Sequence, residues 1–493
     1  MNGKSLQPGD AGGVRSMAAR WVVTGEMRLE TAAHFGGQGE TAVDMAVLRD
    51  PTDGRPLLPG TSLAGALRSH LADVLGGYRS SEHKDVAALF GAARSTDAGS
   101  QSPLIVFDSL AHLPEDLTLE IRDGVAIDSV TGTAEAHKKF DFEVLPAGTR
   151  FPVRIELIVE NPDREVRLLG LLIVALEGLA EGDIALGMRR SRGLGTINVH
   201  NWKALRHDLT TAQGWLGWLT SDHEKPIADD AQSYHFVAEA IRSVYPSRQA
   251  LNNFLDNVTD KRRRILAELE MKIAGDLLVR SPATDPGAPD AVHLCSAGMP
   301  VLPGTGLAGA LRAQALRIAR LVREKHGDGD RWVERIFGPR LERQNENSQS
   351  GQAIASKLRI SESFIKNGGA RRQTRIAIDR FTGGVVQGAL FDEQVQAGGN
   401  LTVKLELRDP TDAEAGLVLL LLKDLLSGEI PVGGSVSVGR GVLRGTARVR
   451  SGDGADYEIA KNLTVEEAAR KVFDEKIAAF HTAEHLKAEE ARS

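Results

Sequence analysis

LLPGTSLAGALRSHL at residues 57–71 recurs as VLPGTGLAGALRAQA at 301–315, ten identities in fifteen positions at an offset of 244. Two further landmarks follow in the same order. AIDSVTG at 126–132 returns as AIDRFTG at 377–383, and each precedes a Phe-Asp pair, Phe140-Asp141 and Phe391-Asp392. LGMRRSRGLGTINV at 186–199 returns more loosely within VGGSVSVGRGVLRGTARV at 432–449, where Gly187, Gly193 and Gly195 match Gly433, Gly439 and Gly441. Solenoid repeats are about 20–50 residues long, so a spacing this large means two tandem copies of one domain.

Each copy reads strand–helix–strand–strand–helix–strand. An alternating stretch at 21–35, answered by 266–279, opens it as a strand. A long loop leads to Leu-Pro-Gly-Thr, where Pro59 ends the preceding strand and Thr61 or Ser62 is placed to cap the helix carrying Leu63, Ala66, Leu67 and Leu71. A strand at 103–109, an insertion and a strand at 150–159 come next. An apolar helix at 166–181, matched by 413–427, then leads through the glycine-rich turn into a last strand. This is the split βαβ order, so the fold class is α+β: two tandem ferredoxin-like (RRM-like, βαββαβ) domains with inserted loops and β-hairpins, at 17–202 and 263–450. A polar helical linker fills 203–262 and ends in the charge run Lys261, Arg262, Arg263, Arg264, read as a solvated face. Residues 451–493 form an acidic helical tail.

The chain has 493 residues, 42% hydrophobic and 26% charged, with a net charge of −6. These values exclude wholesale disorder and collagen-like structure. The single cysteine, Cys295, rules out an internal disulfide framework or a cysteine-built zinc site and fits a reducing cytoplasm. The N-terminus lacks the apolar core of a signal peptide. The most apolar run, AGLVLLLL at 415–422, is far short of the roughly 18 residues needed to span a bilayer, so no membrane partner is expected. Net acidity argues against nucleic acid, but the tail holds 10 acids and 6 bases, so residues 1–450 carry only −2.

The common enzyme motifs G-x-x-x-x-G-K-[ST], H-E-x-x-H and C-x-x-C are absent. Gly193-x-Gly195 enters a strand rather than a helix, which removes the dinucleotide fingerprint from its context. His481 and His485, four apart in a polar tail, read as a solvated face rather than a metal site. What remains is a binding surface. Arg189, Arg190 and Arg192 lie in a loop whose glycines, Gly193 and Gly195, let backbone approach a ligand, and guanidinium forks with backbone N–H groups suit phosphates. Gly439, Arg440 and Gly441 repeat the site in copy two, although Ser435 and Val438 replace Arg189 and Arg192. Helix starts near Thr61, Ser62 and Thr305 offer further N–H donors, with Arg68 and Arg312 on the same helices.

Taken together, the loop GGQGETAVDMAVLRDPTDGRPLLPGTSLAGALR, the segment IDSVTG…FDFEVLPAGT and the terminal SRGLG resemble the RAMP superfamily, in particular the repeating backbone subunit of type III CRISPR effector complexes. The resemblance covers about 20–200 well and about 265–450 moderately. It implies two fused RAMP units that bind guide RNA, pair it with target RNA and assemble with other effector subunits. It also implies that an aspartate on the loop before the Pro-Gly helix cuts the target, which falls on Asp44 in TAVDMAVLRDP. Flanked by Val43, Met45 and Val47, an acid there is costly unless it has a partner or a task. Such a carboxylate can orient or deprotonate a 2′-hydroxyl. A divalent cation, magnesium or manganese, is compatible with the chemistry, and the sequence offers no dedicated ligands for it. In copy two, counting back from Leu-Pro-Gly-Thr with a loop two residues shorter puts Asp290 at the matching place. Asp50 and Asp53 read as turn residues.

The segments 123–143 and 370–393 correspond to the family's protruding hairpin. There Lys138 and Lys139, and in copy two Arg371, Arg372, Arg375 and Arg380, supply positive charge, with Val130 or Phe381 as apolar tips. Two rival readings remain: a non-catalytic RNA-binding scaffold, and a guide-precursor RNase using His34, which reads otherwise as a packed structural histidine.

Overall fold

The computed structural model describes residues 17–37, 43–81, 83–92, 101–128, 131, 133–282, 287–339, 354–452 and 454–486. Both copies build the same sheet. In the first, Leu104–Val106, Arg150–Val159, Ala19–Leu29 and Ile197–Asp208 lie side by side, all antiparallel. In the second, Leu358–Ile360, Asn400–Arg408, Arg264–Ile273 and Leu443–Arg450 repeat that order. The spatial order second–third–first–fourth is that of a ferredoxin-like sheet. Alternation decides which face is covered. Trp21, Val23, Met27 and Leu29 point into one core, against the helices Gly60–Gly76 and Glu165–Ala180. Leu269, Met271 and Ile273 do the same in the other, under Gly304–Val322 and Asp412–Ser427.

The second helix of each unit is buried nearly all round, because a further layer covers it. Gly170 admits the Phe254 ring, to which a Cβ would come within 2.1 Å, from the helix Arg248–Asp256. Gly416, at the same place in copy two, admits the backbone of the helix Glu467–Thr482, with Lys476 O at 2.1 Å. Linker and tail thus do one job: each roofs its own unit.

Several boundaries move. The opening strands end at Leu29 and Ile273, earlier than the alternation suggested, because Thr31 to Phe35 are buried in succession as the chain turns away. The last strand of copy one runs on to Asp208, into the stretch read as linker, and the tail contributes an edge strand, Asp456–Ile459, before its helix. The expected caps are not used either. Pro59 and Pro303 stand at the cap positions in extended geometry without a side-chain cap bond, and Thr61, Ser62 and Thr305 fall in the first turn. One of those first-turn donors is already engaged, since Gly60 N–H donates to Asp108 Oδ1 at 2.7 Å.

The tail is bolted down by a buried pair. Asp328 accepts from Arg323 through both oxygens, at 3.0 and 2.9 Å, and from Leu486 N–H at 2.9 Å. Burial alone would raise its pKa, but these bonds win and hold it at about 2. A depressed carboxylate stabilises the fold above its unfolded pKa and loses that contribution as pH falls toward its folded one. The tail is therefore expected to stay docked above about pH 4 and to loosen between 4 and 2. Asp328→Asn should cost about 2 kcal/mol at neutral pH, read as faster hydrogen exchange across 467–486.

The two units share an interface made by the charge run and by the first hairpin. Arg262 and Arg264 are not solvated: they hold Asp183 at 2.7 and 2.6 Å, and Arg359 of the second unit donates to Asp183 O at 3.1 Å. Tyr78 OH donates to Glu406 at 3.0 Å. The hairpin Glu120–Ile127/Ala134–Val144 leaves its own sheet and reaches the second unit. There Arg122 pairs with Glu362 (3.0 Å), and Glu120 accepts from Ala297 N–H (2.7 Å) and Ser296 Oγ (3.2 Å).

Candidate functional site

Asp44 sits on the loop after the first strand, which lies along the base of the hairpin. Met45 pairs in parallel with Phe142, and the bridges Gly36–Val47 and Arg49–Pro56 close the loop on either side. Within this seat Asp44 and Asp141 bind each other's backbone: Asp44 N–H donates to Asp141 Oδ1 at 2.7 Å, and Asp141 N–H to Asp44 Oδ2 at 3.0 Å. Ala46 and Val47 turn inward while the Asp44 carboxylate stays exposed. The burial cost expected from its apolar neighbours does not arise, because the carboxylate itself stays in solvent.

Asp290 occupies the same place in the second unit. Ala291 pairs in parallel with Glu393, and Asp392 N–H donates to Asp290 Oδ2 at 2.9 Å. The bridges Arg280–His293 and Cys295–Pro300 stand where Gly36–Val47 and Arg49–Pro56 stand in the first. The turn before the Pro-Gly helix is two residues shorter here, because Ser296 to Met299 replace Asp50 to Arg55. Asp50 and Asp53 do serve that turn: Asp50 Oδ1 accepts from Thr52 N–H at 2.8 Å and Asp53 pairs with Arg55 at 2.7 Å. Of the other acids between the second unit's first strand and its Pro-Gly helix, which lie further from the position matching Asp44, Asp276 is engaged by Arg371 and Gln373, and Asp285 lies outside the described residues.

Other candidates have structural employment. Arg68 and Arg312 donate to Phe90 O (3.5 Å) and Gly338 O (2.8 Å), carbonyls that end the next helix in each unit. Arg440 is buried and paired with Glu393 (2.7 Å) and Gln373 (2.6 Å), so its guanidinium is engaged within the fold. Its counterpart is Leu194, which meets Phe142, the counterpart of Glu393; one contact is apolar in the first unit and ionic in the second. Gly195 and Gly441 close their own loops, each bonded to the residue before its first glycine, Leu186 or Val432. Gly193 (φ 88°) faces the second unit, where a Cβ would lie 2.0 Å from Glu362 N. The backbone that Gly193 approaches is therefore protein, not a phosphate. Gly439 (φ 84°) has nothing within 4 Å.

Arg189 stacks over Phe140 and Phe142, at 4.8 and 4.5 Å from the ring centres. Arg190 is exposed and Arg192 half-buried, and among the described residues neither is paired with a carboxylate. Burial pushes the guanidiniums of Arg189 and Arg192 down from their usual pKa, a cost that an anion would offset. On the hairpins, Lys138 pairs with Glu135, Lys139 with Asp123 (3.0 Å), Arg372 with Asp392, and Arg375 with Glu393 (3.8 Å). Arg380 covers the ring of Phe381, which is 81% exposed at the tip. Val130 lies outside the described residues. In the repeated AIDxxTG, Asp128 and Asp379 accept from Thr131 and Thr382 N–H at 2.7 and 2.8 Å.

His34 is 3% exposed, with Nδ1 2.7 Å from Glu143 O and its ring against Phe142. Leu278 stands in its place in copy two, as the equivalent bonds from Met188 N–H to His34 O and Gly434 N–H to Leu278 O establish. For a divalent cation, the paired carboxylates Asp44/Asp141 and Asp290/Asp392 are too few to hold an ion unaided. No group of three or more His, Cys, Asp or Glu suited to a metal occurs among the described residues. In the tail, His485 Nδ1 lies 3.7 Å from Asp328 Oδ2. No helix among the described residues is long and apolar enough to cross a membrane.

Residues 26–198 and 290–444 match the RAMP superfamily, more than half of the chain. The chain belongs to that superfamily, with two RAMP regions in tandem. It is 28% identical over 251 residues to a protein of Methanocaldococcus jannaschii named CRISPR system Cms endoribonuclease Csm3, covering 47% of this chain and 96% of that one. Proteins of the same name from Methanothermobacter thermautotrophicus and Streptococcus thermophilus are 26% identical over 243 residues and 28% over 210. These cover 42% and 38% of this chain against 95% and 90% of theirs. In each case nearly a whole relative aligns with less than half of this chain, as expected for one unit against two.

Proposed function

We propose that this chain is a two-unit backbone subunit of a type III CRISPR ribonucleoprotein that holds guide RNA along both units and cuts the paired target RNA beside Asp44 and beside Asp290. The observation that carries the reading is the repeated seat: in both units an exposed aspartate is fixed by the backbone N–H of the Phe-Asp residue at the hairpin base. Each carboxylate orients and deprotonates a target 2′-hydroxyl, whose oxygen attacks the adjacent phosphorus in line. A cyclic phosphate and a 5′-hydroxyl result. Arg190 and Arg192, with the N–H donors of the glycine loop, are proposed to hold guide phosphates. The low aromatic content, 5%, suits recognition by backbone and pairing. The work is placed in the cytoplasm. The test is target-RNA cleavage by the assembled, guide-loaded complex, with aspartate variants of each site.

Partners follow from Gly439. Its equivalent, Gly193, packs on Glu362 of the next unit, whereas Gly439 faces open space within this chain. A neighbouring RAMP subunit is proposed to dock there. Gly439→Ala should cost the isolated chain only about 1–2 kcal/mol of backbone strain, yet block assembly of the next subunit, read by native mass spectrometry. The guide-precursor RNase reading would need a histidine open to RNA, and the burial of His34 weighs against it. It stands only if the subunit cuts free hairpin RNA and His34→Ala stops it.

A further inference from the structure

We propose that the Asp290 site is completed across the two units: Lys139, on the hairpin of the first unit, holds the phosphate of the RNA bond cut beside Asp290. The inference rests on the proposed role of Asp290 and adds a residue contributed by the other unit. Asp290 faces a cleft of about 350 Å³ lined by Arg280, Phe391 and Glu393 of its own unit and by Asp123 and Lys139 of the first. The opposite wall is held in place. Arg122–Glu362 and the bonds of Glu120 to Ser296 and Ala297 seat that hairpin on the second unit. Lys139 pairs across its hairpin with Val125 and keeps its side chain 69% exposed, contacting Asp123 at 3.0 Å.

The two units differ at this position. Counting from the shared Phe-Asp, Lys139 corresponds to Leu390, which is 63% exposed, so the second hairpin presents an apolar group where the first presents an ammonium. The second unit supplies Arg280 to the cleft, paired with Glu393 at 3.2 Å as Lys139 is with Asp123 at 3.0 Å. The counterpart of Arg280 in the first unit is Gly36. Within this chain the first unit's hairpin therefore lines the Asp290 site.

The chemistry asks for a cation in that wall. As the 2′-oxygen bonds to phosphorus, its proton passes to the Asp290 carboxylate, the P–O5′ bond breaks and the 5′-oxygen takes a proton from solvent. Negative charge gathers on the non-bridging oxygens meanwhile, and the Lys139 ammonium balances it.

The experiment uses the assembled complex with guide and complementary target, resolving the two products. Lys139→Ala is expected to slow the Asp290 product about 10- to 100-fold while leaving the Asp44 product and target affinity unchanged. Lys139→Arg should restore most of the rate. Equal slowing of both products, failure of arginine to rescue, or an unchanged Asp290 product in Lys139→Ala would overturn the proposal. If Asp290→Ala removes a product that Lys139→Ala leaves untouched, this inference fails alone. If Asp290→Ala removes none, the reading beneath it fails too.

Discussion

Asp44→Ala in the guide-loaded complex is expected to slow one of two target-RNA products at least about 100-fold, and Asp290→Ala the other, since loss of a positioned base costs about 10²–10⁴ in rate. The fold should survive both changes. Each side chain is exposed and gives up one hydrogen bond to a backbone N–H, worth about 1 kcal/mol. Asparagine is the sharper probe. Its amide oxygen still accepts from Asp141 N–H or Asp392 N–H, so the loop stays seated on the hairpin while the base is gone. An Asp44→Asn/Asp290→Asn complex that binds target normally and cuts nothing would place the chemistry on these two carboxylates. Cutting at the wild-type rate by that double variant would sink the catalytic reading and leave the scaffold reading standing. Loss of both products in either single variant would mean one site, not two.

The repeat made much of this legible. Ten identities around Leu-Pro-Gly-Thr placed both helices, and the order of elements specified a sheet whose strand order the structure reproduces. Asp290 could be located because the turn between it and the Pro-Gly helix differs by a countable two residues. What a repeat does not separate is shared structure from shared function. Gly193 and Gly439 have the same left-handed backbone, but one meets Glu362 and the other meets nothing, a difference that lies in the neighbour. Arg68 and Arg312 are repeated because both end a helix. Arg440 looked like a phosphate ligand because its partner Glu393 is 47 residues away and has Phe142 as its counterpart. The seats of Asp44 and Asp290 span 97 and 102 residues, and no local pattern announces such a bond.

The interface between the units yields the second large effect. Arg122 and Glu362, 240 residues apart, are each 5% exposed and meet at 3.0 Å, with Glu120 at 3.6 Å from the same guanidinium. Among the described residues Arg122 Nε and Glu120 Oε2 have no hydrogen-bond partner, so the cluster is already short of hydrogen bonds. Breaking a buried pair by removing one member leaves an uncompensated charge and costs about 3–5 kcal/mol. Glu362→Ala is therefore expected to undock the first hairpin, seen as faster hydrogen exchange at Glu120–Ile127 and at Ser363–Phe364. Refilling the site with apolar groups in Arg122→Met/Glu362→Leu removes both charges and should recover most of the protection, because well-packed apolar replacements of buried pairs are often neutral or stabilising. Unchanged exchange in Glu362→Ala would mean that this pair does not hold the units together. Where the hairpin does come loose, the Asp290 product should slow more than the Asp44 product, since the second site borrows a wall from the first unit.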